Sequence, residues 1–121
     1  MTVSPPGVDP RPVVDADQVV GVRCDECGHV AAQSDPRCRR CLSDVVPARF
    51  GPEGTVWAAA TVHLAIDHRE PPFTLAYVDL DAGPRVLTLV DGSEAPPVGT
   101  RMTIVGDQAG DILVREVVDG R

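Results

Sequence analysis

The chain of 121 residues contains no lysine, so all eleven of its basic side chains are arginines. Aspartate and glutamate together number 18, and the formal net charge is −7. An acidic chain is repelled by the phosphate backbone of nucleic acids. The composition therefore argues against general nucleic-acid binding, although it leaves room for a local arginine patch.

Long apolar runs and aromatic side chains are also scarce. No run approaches the length needed to span a membrane, and residues 1–6 lack the apolar stretch of a secretory signal. We therefore expect a cytoplasmic protein without a membrane segment. The aromatic residues are Phe50, Trp57, Phe73 and Tyr77.

The four cysteines form two Cys-x-x-Cys pairs, Cys24 with Cys27 and Cys38 with Cys41, separated by ten residues. A tight turn in each pair directs both thiols to one side, and two facing turns supply four sulfur ligands in a tetrahedron. Four thiolates close the coordination shell, so the pattern predicts one structural Zn²⁺ per chain rather than a catalytic ion. An iron ion in the same geometry is the alternative. Such a pattern is typical of a reducing compartment.

The 12 prolines and 11 glycines favour strands and turns over long helices. We divide the chain into a Pro-rich tail (residues 1–18), a zinc ribbon (19–46) and a β-rich domain (47–121). Runs rich in β-branched residues, bounded by turn signals, predict strands at residues 55–64, 73–80, 85–90, 101–105 and 112–118. Five strands in about 70 residues fit the small OB-fold barrel. Short apolar pairs predict further strands at residues 19–20, 30–31 and 45–46.

The sequence contains no convincing catalytic set. Neither a nucleophile elbow nor a phosphate-binding loop accompanies the three histidines, His29, His63 and His68. Two carboxylate clusters are candidates for acid–base chemistry, one formed by Asp67-His68 with Glu70 and the other by Asp79 with Asp81. Both are explained more simply as solvated turns or strand ends. We therefore do not expect the chain to be an enzyme by itself.

These segments together resemble the bacterial and archaeal zinc-ribbon/OB-fold proteins that accompany acyl-CoA enzymes. The resemblance covers residues 22–117 and rests on the two cysteine pairs and on residues 54–57, 71–87 and 98–102. It implies an all-β protein in which a rubredoxin-like zinc ribbon precedes a five-stranded OB barrel. It also implies an accessory subunit that binds a thiolase-like or related acyl-CoA enzyme and assists complex formation or transfer of CoA-bound intermediates, in lipid or steroid side-chain metabolism. A nucleic-acid-binding zinc-ribbon/OB module is the alternative.

The candidates for contact with CoA or with the partner enzyme are Arg37, Arg39, Arg40, Phe73, Tyr77 and Arg85. The three arginines around the second knuckle could pair with carboxylates or CoA phosphates, or could form a solvated loop. The two aromatic residues lie four apart in one strand, so they share a face and could line an acyl path or pack in a core. Arg85 follows a turn and could anchor a phosphate or stabilise that turn.

The sequence departs from the family around the two knuckles. Residues 32–35 replace an aromatic-Pro-Pro-Arg segment, Arg39 replaces a proline after the third cysteine, and Leu42 replaces a glycine after the fourth. The four cysteines are retained. The resemblance therefore implies the metal site, but it does not imply contacts made by the missing aromatic and arginine side chains.

Overall fold

The computed structural model describes residues 11–33, 35–65, 69–92 and 94–118, which contain β-strands and no helix. The strands are β1 (Val13–Asp15), β2 (Gln18–Cys24), β3 (Val30–Ala31), β4 (Val45–Phe50), β5 (Glu53–Val62), β6 (Phe73–Leu80), β7 (Arg85–Val90), β8 (Arg101–Gln108) and β9 (Asp111–Glu116). The predicted all-β class is confirmed. In the described part of the chain, no helix is long and apolar enough to cross a membrane.

Strand β2 is the centre of the N-terminal sheet, with β1 and β3 along one side and β4 along the other. Its run of Val19, Val20 and Val22 suits a strand with neighbours on both sides. Gly21 is required there, because a Cβ atom at this position would lie 2.1 Å from the carbonyl oxygen of Ala31. This sheet carries the first cysteine pair at the end of β2.

The N-terminal sheet extends beyond the predicted ribbon at both ends. Strand β1 lies within the range predicted as a tail, because two valines form a hairpin with β2 across a turn in which Ala16 has φ 60°. Strand β4 continues to Phe50, since Pro47 is tolerated at an edge that needs no N–H donor. Residues 1–10 of the predicted tail lie outside the described residues.

The C-terminal strands close a barrel in the order β5-β6-β7-β9-β8, which confirms the predicted five-stranded barrel. All pairings are antiparallel except that of β7 with β9, where Leu89 lies beside Leu113. Alternating side chains point inward and are almost fully buried, among them Val56, Val78, Met102, Ile112 and Val114. The bulge in β8 lets that strand continue to Gln108, past the predicted end at residue 105. Strand β5 starts at Glu53 rather than residue 55, because residues 53–55 pair with β8, and it ends at Val62 rather than residue 64, where its pairing with β6 ends. Strand β9 ends at Glu116 rather than residue 118, where its pairing with β8 ends.

The N-terminal sheet and the barrel share one apolar core. Val19, Ala48 and Phe50 belong to the same buried cluster as the inward-facing residues of the barrel. Phe50 packs so closely on the β6–β7 turn that a Cβ atom at Gly83 would lie 2.9 Å from its ring. The cysteine ribbon is thus fixed relative to the barrel by buried packing.

Candidate metal centre

The two cysteine turns face each other, as the spacing predicts. The four Sγ atoms all lie within 4.8 Å of one another, with 3.4 Å between Cys24 and Cys41 and 3.7 Å between Cys27 and Cys38. A tetrahedron with metal–sulfur bonds of about 2.3 Å has sulfur–sulfur edges of about 3.8 Å. The cluster is therefore of the right size and donor type to hold one metal ion.

Backbone N–H groups surround the sulfur atoms. The N–H groups of Glu26 and Cys27 donate to the Sγ of Cys24 at 3.3 and 3.4 Å, and that of Arg40 donates to the Sγ of Cys38 at 3.3 Å. Hydrogen bonds to sulfur favour the charged thiolate, which is the form that binds metals. Both turns thus prepare their sulfurs as ligands.

Both knuckles have the same turn conformation. The N–H of Gly28 donates to the carbonyl of Cys24 at 3.2 Å, and the N–H of Leu42 donates to the carbonyl of Cys38 at 2.8 Å. Gly28 has φ 78° and Leu42 has φ 66°, so both adopt the left-handed conformation. Glycine adopts this conformation freely, whereas Leu42 adopts it despite its side chain.

The pKa values of Cys41 and Cys27 shift in opposite directions. Hydrogen bonds from the side chain and backbone of Ser43 lower the pKa of Cys41 to about 6. At Cys27 the hydrogen bond from the backbone N–H of His29 lowers the pKa. Desolvation and the adjacent thiols together outweigh it and raise the pKa to about 11. A cation bound among closely spaced sulfur atoms would favour their thiolate forms.

Two of the three knuckle arginines are held by nearby carboxylates. Arg37 lies 3.7 Å from Asp44, and Arg39 lies 2.9 Å from Asp35, in both cases from nitrogen to oxygen. Arg40 is exposed. Arg37 and Arg39 therefore brace the second knuckle, and any contact of the three with a phosphate or a partner stays a prediction.

The two candidate aromatic residues of β6 have different surroundings. Phe73 is 7 % exposed and lies beneath the Arg69 guanidinium, 5.7 Å from carbon to ring centroid. Tyr77 is 44 % exposed and meets Trp57 edge to face, with 6.0 Å between ring centroids. Phe73 is therefore covered whereas Tyr77 is open to solvent, and any contact of either with an acyl chain or a partner stays a prediction.

Arg85 covers one face of the exposed Trp57. Its guanidinium carbon lies 3.9 Å from the indole centroid, and two of its nitrogens bond the Asp79 carboxylate at 2.6 and 3.2 Å. The hydrogen bonds from Arg85 lower the pKa of Asp79. Asp81 is similarly held by Arg101, so neither carboxylate is set up as an acid–base group. Asp67 and His68 of the other candidate cluster lie outside the described residues.

A buried ion cluster was not predicted from the sequence. Asp111, 7 % exposed, accepts two bonds from Arg69 at 3.0 and 2.8 Å and one from Arg11 at 3.2 Å. Arg69 and Asp111 lie 42 positions apart, at the β5–β6 loop and the start of β9. Nothing local distinguishes such a pair from ordinary surface charges, because closure of the barrel brings the two positions together.

A four-cysteine ribbon packed on a closed five-stranded barrel defines a ribbon/OB-fold class of protein. Residues 48–107 match the family model described as the ChsH2 C-terminal OB-fold domain. Over these residues the barrel of this chain is therefore similar to that domain, in agreement with the family resemblance inferred from the sequence.

The same fold occurs in a solved structure. A chain of the Ltp2-ChsH2(DUF35) aldolase superimposes with a TM-score of 0.65 and 24% sequence identity. The match covers 89% of this chain and 100% of that one. No curated protein sequence matches this chain.

Proposed function

We propose that this chain is a non-catalytic accessory subunit of an acyl-CoA enzyme, with a thiolase-like enzyme as its partner. The observation that carries the proposal is the match of the barrel to the ChsH2 OB-fold domain. The solved structure with the same fold is described as the Ltp2-ChsH2(DUF35) aldolase, so ChsH2 is named there together with Ltp2. In this proposal the complex is cytoplasmic and handles CoA-bound intermediates of lipid or steroid side-chain metabolism.

The geometry suits docking by a preformed surface. The ribbon is anchored to the barrel by Phe50, and its second knuckle is braced by the ion pairs of Arg37 and Arg39. A surface that is ordered before binding avoids much of the entropy cost of association. Such a rigid body can position a partner enzyme without contributing reacting groups.

The proposed ion in the four-cysteine site is one structural Zn²⁺. Four sulfur donors in a tetrahedral set suit zinc and leave no position open for water or substrate. Cys24, Cys27, Cys38 and Cys41 would hold the ion, which would supply a cross-link between β2 and the loop before β4. Metal binding and folding of the ribbon would then be one coupled process.

The zinc proposal is tested by elemental analysis of the folded protein. We expect about one zinc per chain, and loss of that zinc in Cys38→Ser together with a lower unfolding temperature. The control is Leu64→Ala, an exposed position outside the ribbon that leaves all four sulfur ligands and their hydrogen bonds in place, and it should retain zinc. Well-folded protein with iron, or with no metal, would contradict the assignment.

The accessory-subunit proposal is tested by affinity capture of the tagged chain from its native cells, followed by mass spectrometry. We expect a thiolase-fold or other acyl-CoA enzyme in near-equal amount. Cys38→Ser is the comparison, because loss of the ribbon should reduce capture if the ribbon positions the docking surface. Recovery of nucleic acid, or of no stable partner, would count against the proposal.

The nucleic-acid alternative fits the geometry less well. OB folds bind single strands by stacking bases on exposed aromatic rings within a basic groove. Here Arg85 covers one face of Trp57, and its own charge is neutralised by Asp79. Salt-sensitive binding of single-stranded DNA by the purified chain would favour this alternative over the accessory role.

A further inference from the structure

One edge of β5 lies open beyond the point where the barrel closes. β5 pairs with β6 as far as Val62, whereas its pairing with β8 ends at Thr55. The last backbone hydrogen bonds between described residues on that side are made by Val56. The backbone groups of an antiparallel strand point alternately to its two sides. Residues 57–62, here called the open edge, therefore present every second N–H and C=O to a side where no described strand lies.

From Ala58 onward the open edge lacks the features that normally prevent strand pairing, and the bulge of β5 at Trp57 lies at its start. Residues 54–62 include no ionisable side chain and no proline, and from Ala58 onward the pairing with β6 is uninterrupted. Other edges are less suited to pairing, because β4 contains Pro47 and β8 has a bulge before Gly106. Since proline, charge and bulges are the usual protections of an edge, the open edge is the one suited to accept another strand.

The sequence of the open edge is complementary to itself. Ala58, Ala59 and Ala60 occupy its centre, with Trp57 and Val62 at its ends. In an antiparallel pair centred on Ala59, Ala58 of one copy lies opposite Ala60 of the other, and both face the same side of the sheet. Small side chains allow the normal strand spacing of about 4.8 Å. Alanine then meets alanine at the centre of the contact, while Trp57 lies opposite Thr61 and Val62 lies opposite Val56.

The charge distribution favours contact between two copies at the open edge over contact at their other surfaces. Each chain carries a net charge of −7, so two copies repel over most of their surfaces. Residues 57–62 contain no carboxylate, and the nearby Asp79 is neutralised by Arg85 at 2.6 Å. A different partner would have to supply its own uncharged strand of matching length, whereas a second copy brings one.

We propose that the open edge pairs with the same edge of a second copy, giving a two-fold symmetric dimer whose sheet continues from one barrel into the other. Such a contact is isologous and closes at two copies. The backbone bonds give affinity, and the two-residue period of the strand sets the register. The proposal concerns the chain alone and does not depend on which enzyme it accompanies.

The dimer is tested by sedimentation velocity over a concentration series, with fluorescence of Trp57 recorded in parallel. Trp57 is the single tryptophan of the chain, lies at the open edge and is 50 % exposed. We expect a concentration-dependent shift from monomer to dimer, accompanied by a move of the emission to shorter wavelength. A monomer at every concentration would overturn the proposal.

Charge variants locate the contact. Ala60→Glu places like charges near one another across the two-fold axis and should weaken the dimer about tenfold or more. An equal mixture of Ala60→Glu and Ala60→Lys chains should restore it, since opposite charges then meet. Ala95→Glu adds the same charge at an exposed alanine outside the strands and should leave the dimer unchanged.

Two results would overturn the proposal even if a dimer forms. One is a dimer that Ala60→Glu does not weaken, and the other is a mixture that fails to restore it while both variants remain folded by circular dichroism. A monomeric chain in which Ala60→Glu abolishes enzyme capture would assign the open edge to the enzyme instead. If the chain forms the dimer but the tagged chain captures no acyl-CoA enzyme, the result would contradict only the proposed function.

Discussion

At the scale of single residues, the second knuckle contains a position where glycine would fit better. Leu42 has φ 66°, and its side chain is 69 % exposed, so it gains little from packing. The left-handed conformation costs a non-glycine residue about 1–2 kcal/mol, whereas glycine adopts it freely. We predict that Leu42→Gly raises the free energy of unfolding by about 1 kcal/mol, measured by urea denaturation of the metal-loaded protein.

A control for this prediction is Leu64→Gly. Leu64 is 74 % exposed, but it is not among the residues with positive φ. Glycine there adds only unfolded-state entropy and should lower stability slightly. Equal loss of stability in both variants would show that the conformation of Leu42 carries no strain.

The buried ion cluster provides a second prediction at this scale. Asp111 is 7 % exposed and Arg69 is 14 % exposed. Removing the carboxylate therefore leaves the largely buried guanidinium of Arg69 without that opposite charge. We expect Asp111→Ala to lower the free energy of unfolding by about 3 kcal/mol. Asp91→Ala is the matched control, because Asp91 and Arg115 form an exposed pair at 3.0 Å and should contribute less than about 1 kcal/mol. Similar losses in the two variants would contradict a structural role for the cluster.

At the scale of elements, β4 is the strand that joins the ribbon to the barrel. Phe50 is 4 % exposed and packs against Gly83. We predict that Phe50→Ala lowers the free energy of unfolding by about 3–4 kcal/mol, because truncation leaves a cavity between the ribbon and the barrel. The control is Val46→Ala in the same strand, at a position that is 40 % exposed, which should cost less than about 1 kcal/mol.

The predicted elements differ from the observed ones where pairing overrides local signals. Residues 73–80 and 85–90 were predicted with the ends that β6 and β7 have, since alternating apolar residues and a Gly-Pro turn define them locally. The full length of β4 was missed, because Pro47 argues against a strand unless β2 is known to lie on the other side. The clustering of the four cysteines was predictable because their spacing is local, whereas the Arg69–Asp111 cluster depends on which loops the barrel brings together.

At the scale of the whole molecule, the ribbon and the barrel form one packed body. The shared core includes Val19 and Phe50 from the N-terminal sheet and Ile104 from the barrel. The barrel order follows from long-range pairing of β7 with β9 and of β5 with β8, which no local pattern specifies. The five strands were nevertheless sufficient to predict the barrel, because few small folds accommodate that number in so short a chain.

The accessory role makes a direct prediction about catalysis. Acyl-CoA turnover should be measured in three samples: the purified chain, the captured enzyme after removal of the chain, and the recombined complex. We predict no turnover by the chain alone and higher turnover by the recombined complex than by the enzyme alone. Turnover by the purified chain, or a complex no more active than the isolated enzyme, would contradict it.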